Sequence, residues 1–252
     1  GAEIVFCAID ENGEMLDRTR CRWLTQPIRN KHTGGSGASL LDVQRKMDEL
    51  KKLERFFADV GCDAVALGAC DLSCRRIREE LEHVSFAMAL RADDDPNAER
   101  WADAYYRASR PFNDSPLDPE FPTVDRHTYA SRMPFRCVFV DESLPQLWAA
   151  SVASSNSVGE LTAPLRTALS CARALQDPYA EMCHYLAPDA LSLGKLPLHP
   201  LMKMLPEDSL RRALTHELVD GACRLGVSLS DALDFEHRSH VLPYVPGLGP
   251  KM

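Results

Sequence analysis

Residues Glu3 to Ile9 form an apolar, β-favouring run, Asp10-Glu11-Asn12-Gly13 supplies turn chemistry, and Glu14 to Arg20 returns as a second strand. The pattern predicts an opening β-hairpin. A Gly/Ser-rich stretch, Thr33 to Ser39, then leads into Leu40 to Ala58, where Leu41, Met47, Leu50, Leu53 and Phe57 recur at roughly helical spacing. Asp63 to Leu67 reads as a short buried strand, Gly68 to Asp71 as a turn and Leu72 to Glu82 as an amphipathic helix. Between Arg91 and Met133 the periodicity stops. Asp93-Asp94-Asp95-Pro96 and Pro111, Pro116, Pro119 and Pro122 punctuate this stretch around Trp101, Tyr105 and Tyr106. A polar, proline-rich length of this kind inside a domain predicts an insertion rather than core. The aromatic trio is expected to pin it to the body; stacking on bases is the sharper alternative.

Phe135 to Val140 restores a strand, and Asp141-Glu142-Ser143 reads as a turn or helix cap. Pro164 to Leu175 is a helix that Pro178 interrupts, Leu210 to Leu225 is another, and Tyr244 to Pro250 is a glycine turn. No repeat appears at solenoid periods. A hairpin followed by alternating helices and strands predicts an α/β domain with a mixed sheet flanked by helices. Its first two strands are joined by a tight turn, which fits an RNase H-like layout better than a flavodoxin-like one, where the first connection is a crossover helix.

At 252 residues, 45% hydrophobic and 26% charged, the chain has the composition of a folded protein. The formal net charge of -8 repels a phosphate backbone unless basic residues gather on one face. Nine cysteines without a regular framework are expected to be reduced thiols in an intracellular compartment. The longest apolar runs, such as Ala64 to Leu67 and Cys137 to Val140, are strand-sized, which argues against a membrane partner. Gly1 is followed at once by strand-like sequence and Met252 falls inside a turn motif, so a segment of a longer protein is expected.

The most specific string is Leu165 to Met182, "LRTALSCARALQDPYAEM". Physically it is a core-facing helix with small alanines, closed by Gln176, in which Asp177 caps the next helix and Pro178 takes its first position. The string also closely resembles the "ARxLQDPLAE" signature of the bacterial Tex proteins and the eukaryotic Spt-six elongation factors. The resemblance continues through "PLHPLMKMLPEDSLRRAL", Pro197 to Leu214, and "VDGACRLGVSLSDAL", Val219 to Leu233, where Ser228 and Ser230 replace the usual Asp and Asn. It ends on "LPYVPGLGPKM", which resembles the entrance to a helix-hairpin-helix domain. In the N-terminal half, "FCAIDENGEMLD" and "FVDESLPQLWAAS" resemble, more loosely, the first hairpin and last strand of a YqgF-type domain.

The resemblance implies a YqgF-type RNase H-like domain over residues 1–190 with an insertion at 91–133, then a helical segment, 191–252, leading into a truncated helix-hairpin-helix. It implies a nuclear elongation factor and histone chaperone whose partners are the RNA polymerase II elongation complex and histones or nucleosomes. DNA or RNA would be reached through the full-length protein. No cofactor is implied. An acidic insertion built on Asp93, Asp94 and Asp95 offers a further way to hold a basic partner.

Asp10 ends the first strand, where RNase H-like nucleases keep a metal-binding Asp, and Asp71, Asp141 and Glu142 also follow predicted strands. Such nucleases need about three carboxylates converging on two divalent ions, which defines the rival reading, a metal-dependent RuvC-like nuclease. The plainer reading makes these residues turn and cap acceptors, vestigial as ligands in a chain that is not an enzyme. Gly247 and Gly249, followed by Lys251, are nucleic-acid-binding candidates, since a glycine hairpin exposes amides that can hold a phosphate; in this chain an unstructured or merely terminal tail is expected. Cys70 and Cys74 lie four apart and His237 and His240 three apart, but neither has a partner pair at finger-like spacing. They are read as buried thiols and surface imidazoles, not as metal ligands.

Overall fold

The computed structural model describes residues 3–25, 40–92, 132–187 and 199–249. The acidic run Asp93 to Asp95, the aromatic group Trp101, Tyr105 and Tyr106, and Lys251 lie outside these residues. The hairpin forms as predicted: β1 is Ile4–Ile9 and β2 is Met15–Cys21. Next come α1 (Leu40–Val60), β3 (Ala64–Gly68), α2 (Ser73–Ala92) and β4 (Arg136–Val140). The mixed α/β character is as expected. The described strands, however, pair as two two-stranded sheets, β1 with β2 and β3 with β4, rather than as the single sheet predicted.

Two compact units divide the chain, one built from Gly1–Phe6 and Asp17–Phe139, the other from Cys7–Leu16 and Val140–Met252. In the first unit α1 packs on α2, and Met47, Leu50, Leu53 and Phe57 of α1 are buried. Leu41, placed on the same stripe by the sequence, is instead exposed in the opening turn of the helix. Phe57 meets Phe6 edge-on at 6.2 Å and Phe135 at 4.5 Å. Helix α2 runs ten residues beyond its predicted end at Glu82. His83 to Ala87, with Ala89 and Leu90, are buried on every side, so the amphipathic period that marks a helix is lost there. Ser85 sits in this apolar surround because its Oγ donates to the Phe135 carbonyl at 3.0 Å. Lys46, 2% exposed, is likewise buried against the Glu80 carboxylate. Burial raises the Glu80 pKa and the Lys46 ammonium pulls it back, the balance expected of a desolvated ion pair.

The second unit is helical: α3 (Ser143–Ala149), α4 (Val152–Ser157), α5 (Ala163–Gln176), α6 (Pro178–Tyr185), α7 (Glu207–Leu225), α8 (Leu229–Asp234) and α9 (Glu236–Ser239). Pro178 does not merely stop α5; it occupies the first turn of α6, and Asp177 caps that helix by accepting from Ala180 N at 2.9 Å. The core gathers around Trp148, Cys183, Tyr185, Leu218 and Tyr244. The glycine turn expected over Tyr244 to Pro250 is formed as far as Gly249. Gly247 adopts φ +88, a conformation open to glycine. A Cβ on Gly249 would lie 2.2 Å from the Pro243 carbonyl oxygen, so only the bare backbone fits.

Candidate functional site

The turn that follows β1 is where the sequence places its most suggestive carboxylate, and it belongs wholly to the second unit. Asp10 closes this turn itself. Its Oδ1 accepts from the amides of Asn12 and Glu14, each at 2.8 Å, while Asp10 N donates to the Glu14 carbonyl at 2.9 Å and Gly13 N to the Asp10 carbonyl at 3.1 Å. Asp-Glu-Asn-Gly thus forms the side-chain-bridged turn that its residue types favour.

Three side chains from the helices hold the outside of the turn. Arg173 on α5 donates Nε to the Gly13 carbonyl at 2.8 Å, Gln176 one turn on donates Nε2 to the Asp10 carbonyl at 2.8 Å, and Arg238 on α9 donates Nη2 to the Glu11 carbonyl at 2.9 Å. Arg173 is 7% exposed because it shares the inward face of α5 with Leu165 and Leu169, at i, i+4 and i+8. A cation on an apolar stripe must find an acceptor inside the fold, and the turn carbonyl is that acceptor. Sequence reading missed this grip; its signal was the arginine on the buried stripe of the "ARALQDP" string.

His237 lies beneath Gly13, so close that a Cβ on Gly13 would fall 2.5 Å from its Nε2. The surface imidazoles expected at His237 and His240 are therefore corrected. His237 is buried, and His240 is half-buried and stacked on His184 at 4.5 Å between ring centres. Burial pushes the His237 pKa down to about 4, and the guanidinium groups of Arg173 and Arg238 add to the effect. Burial raises the Cys7 thiol to about 12, with Arg173 pulling the other way. Cys171 also rises to about 12, first by burial and then through Glu142, Cys7, Glu181 and Asp141. At neutral pH these thiols stay protonated and His237 stays neutral, far from the poise of a general acid or base.

The other carboxylates are also engaged locally. Asp141 accepts from Ser143 N at 2.8 Å and Ser143 Oγ at 2.6 Å, bonds that hold its pKa below the usual carboxylate range. Glu142 accepts from Gln146 Nε2 at 2.6 Å. Asp71, in the first unit, accepts from Ser73 N at 2.6 Å, and its bonds to Ser73 lower its pKa. Among the described residues, a single group brings three His, Cys, Asp or Glu ligand atoms within 4.8 Å of one another: Cys70, Asp71 and Cys74. Asp71 is therefore placed with two thiols; Asp10, Asp141 and Glu142 belong to no such group. In the glycine turn, Leu248 N and Gly249 N both donate inward to the Val245 carbonyl, at 3.0 and 3.2 Å. Among the described residues no helix is long and apolar enough to cross a membrane.

Comparison with known proteins extends the motif resemblance along the chain. A family model described as a helix-hairpin-helix motif matches residues 191–252. A protein of Arabidopsis thaliana named transcription elongation factor SPT6 homolog is 26% identical over 246 residues, covering 98% of this chain and 12% of that protein. The Suppressor of Ty 6 homolog of Caenorhabditis elegans is 28% identical over 243 residues, covering 96% of this chain and 13% of its own length. Transcription elongation factor SPT6 of Gibberella zeae is 30% identical over 135 residues, 54% of this chain and 9% of that protein. The chain thus spans about an eighth of the Arabidopsis and Caenorhabditis relatives, and they align with nearly all of it.

Proposed function

We propose that this chain is a non-catalytic, RNase H-like scaffold segment of a nuclear transcription elongation factor and histone chaperone, acting with the RNA polymerase II elongation complex and with histones or nucleosomes. The elongation role rests on what the relatives are named. The scaffold reading rests on one observation: the turn bearing Asp10 is closed by its own carboxylate and gripped from outside by Arg173, Gln176 and Arg238. A two-metal nuclease needs carboxylates free to converge on ions ~4 Å apart. Here Asp10 gathers with no other ligand group among the described residues, and the turn carbonyls receive two guanidinium groups, whose charge opposes a divalent cation nearby. An inherited nuclease layout that holds its strand end shut with arginines is suited to presenting surfaces rather than to cleaving phosphodiesters. Residues 191–252, which match a helix-hairpin-helix model, would contribute to the surface through which the full-length protein reaches DNA or RNA.

Calorimetric titration of Mg²⁺ and Mn²⁺ into the wild type and Asp10→Asn, with cleavage assays on branched DNA and structured RNA, tests this reading. No Asp10-dependent heat and no cleavage are expected. Metal-dependent cleavage that disappears in Asp10→Asn would establish the nuclease instead.

A further inference from the structure

Between the end of β3 and the start of α2 the first unit makes a short turn that gathers Cys70, Asp71 and Cys74, with one ligand atom from each within 4.8 Å of the other two. We propose that these three side chains form a surface binding site for one borderline-soft divalent cation, of which Zn²⁺ is the type. The two sulfurs are 3.9 Å apart. Two thiolates on one tetrahedral zinc, with Zn–S bonds of ~2.3 Å, stand ~3.8 Å apart, so the sulfurs already have the spacing of two corners of such a site. A disulfide needs ~2.05 Å, and the pair would have to close by almost half to make one.

Two of the three donors are held in place by hydrogen bonds. Cys74 is buried in the first turn of α2 and its Sγ donates to the Gly68 carbonyl at 2.8 Å. Asp71 anchors one oxygen on Ser73 N at 2.6 Å, which leaves the second to point elsewhere. Cys70 and Asp71 are exposed, so an ion enters from solvent. Binding converts two thiols to thiolates and releases two protons to water, with no change of oxidation state. Two thiolates, one carboxylate and a dication sum to a single negative charge, which the N-terminal dipole of α2, a 20-residue helix, favours. Three protein ligands leave a fourth position for water or for a donor from another chain.

Of the other seven cysteines, Cys223 is exposed and six are buried or half-buried. Burial raises Cys62 to about 11 and Cys7, Cys21, Cys137, Cys171 and Cys183 to about 12, so these six keep their protons at neutral pH. The sequence concealed the site because its third ligand, Asp71, sorts naturally with the carboxylates that follow strands. Only the tightness of the turn puts it between the two cysteines.

The reduced chain should be titrated with Zn²⁺ against a chromophoric chelator, and with Co²⁺ while the thiolate-to-cobalt charge-transfer absorption is followed. The wild type should bind one equivalent of Zn²⁺ more than Cys70→Ser, and the cobalt band should vanish in that variant. Cys70 is exposed, so the substitution leaves the packing intact. Asp71→Asn should weaken binding about tenfold or more. Bound Zn²⁺ should also shield Cys70 and Cys74 from alkylation. Equal zinc stoichiometry in wild type and Cys70→Ser, shielding confined to other cysteines, or a Cys70–Cys74 disulfide that forms undiminished in the presence of Zn²⁺ would each overturn the proposal.

Discussion

Arg173 donates through Nε to the carbonyl of Gly13 at 2.8 Å, tying a helix to a hairpin turn 160 positions earlier in the chain. The bond gives a buried cation an internal acceptor and gives a buried turn carbonyl its donor. Truncation to Arg173→Met leaves that carbonyl without its partner and should cost about 2–3 kcal/mol. Urea unfolding should show the loss, and amide exchange over residues 10–16 should accelerate in the same variant. An unchanged midpoint together with unchanged exchange would mean that the bond contributes nothing.

Gly13 adopts φ +82 with the His237 ring against it. Gly13→Ala combines a left-handed conformation, disfavoured by about 1–2 kcal/mol for a residue with a Cβ, with a clash on the imidazole. The two parts are separable. In a His237→Ala background the clash disappears, so Gly13→Ala should cost only the conformational part, and a double-mutant cycle should return a coupling of about 1 kcal/mol or more. Strictly additive costs would rule out the contact.

The folded pKa of His237, about 4, lies below its ordinary 6.5. Between those values the unfolded chain binds more protons than the folded one. Stability is therefore complete above about pH 6.5 and falls as the pH drops toward 4, by up to about 3 kcal/mol. His240, also lowered by burial, acts in the same direction. Chemical denaturation at pH 7 and pH 5 should show the wild type losing stability on acidification and His237→Gln losing measurably less. Parallel losses would sink the assignment.

Thr19 on β2 is buried and its Oγ1 finds no hydrogen-bond partner among the described residues. An unsatisfied buried hydroxyl is destabilising, so Thr19→Val should raise the stability of the chain by about 1 kcal/mol. A lower melting temperature in Thr19→Val would show that the hydroxyl is bonded after all.

Local chemistry was legible without coordinates. The Asp-Glu-Asn-Gly turn, the stripe of α1 from Met47 to Phe57, and the cap made by Asp177 before Pro178 all depend on neighbours within a few residues, and each appears where residue types and spacing put it. The second half of α2 was not legible, because residues buried on all sides carry no amphipathic period. Nor was the environment of His237, since an imidazole looks alike in sequence whether it faces water or a glycine.

What the sequence by itself determined is the set of turns, caps and strand ends, together with the resemblance carried by the "ARALQDP" string. What only the tertiary structure decided is which partners those pieces take. Arg173 and Gln176 reach back across more than 150 residues to the hairpin turn, and Asp71 joins two cysteines instead of the other carboxylates. The reason is physical: a turn forms from interactions among adjacent residues, whereas a buried guanidinium or a cluster of ligand atoms acquires its meaning from whatever packing brings within a few ångströms.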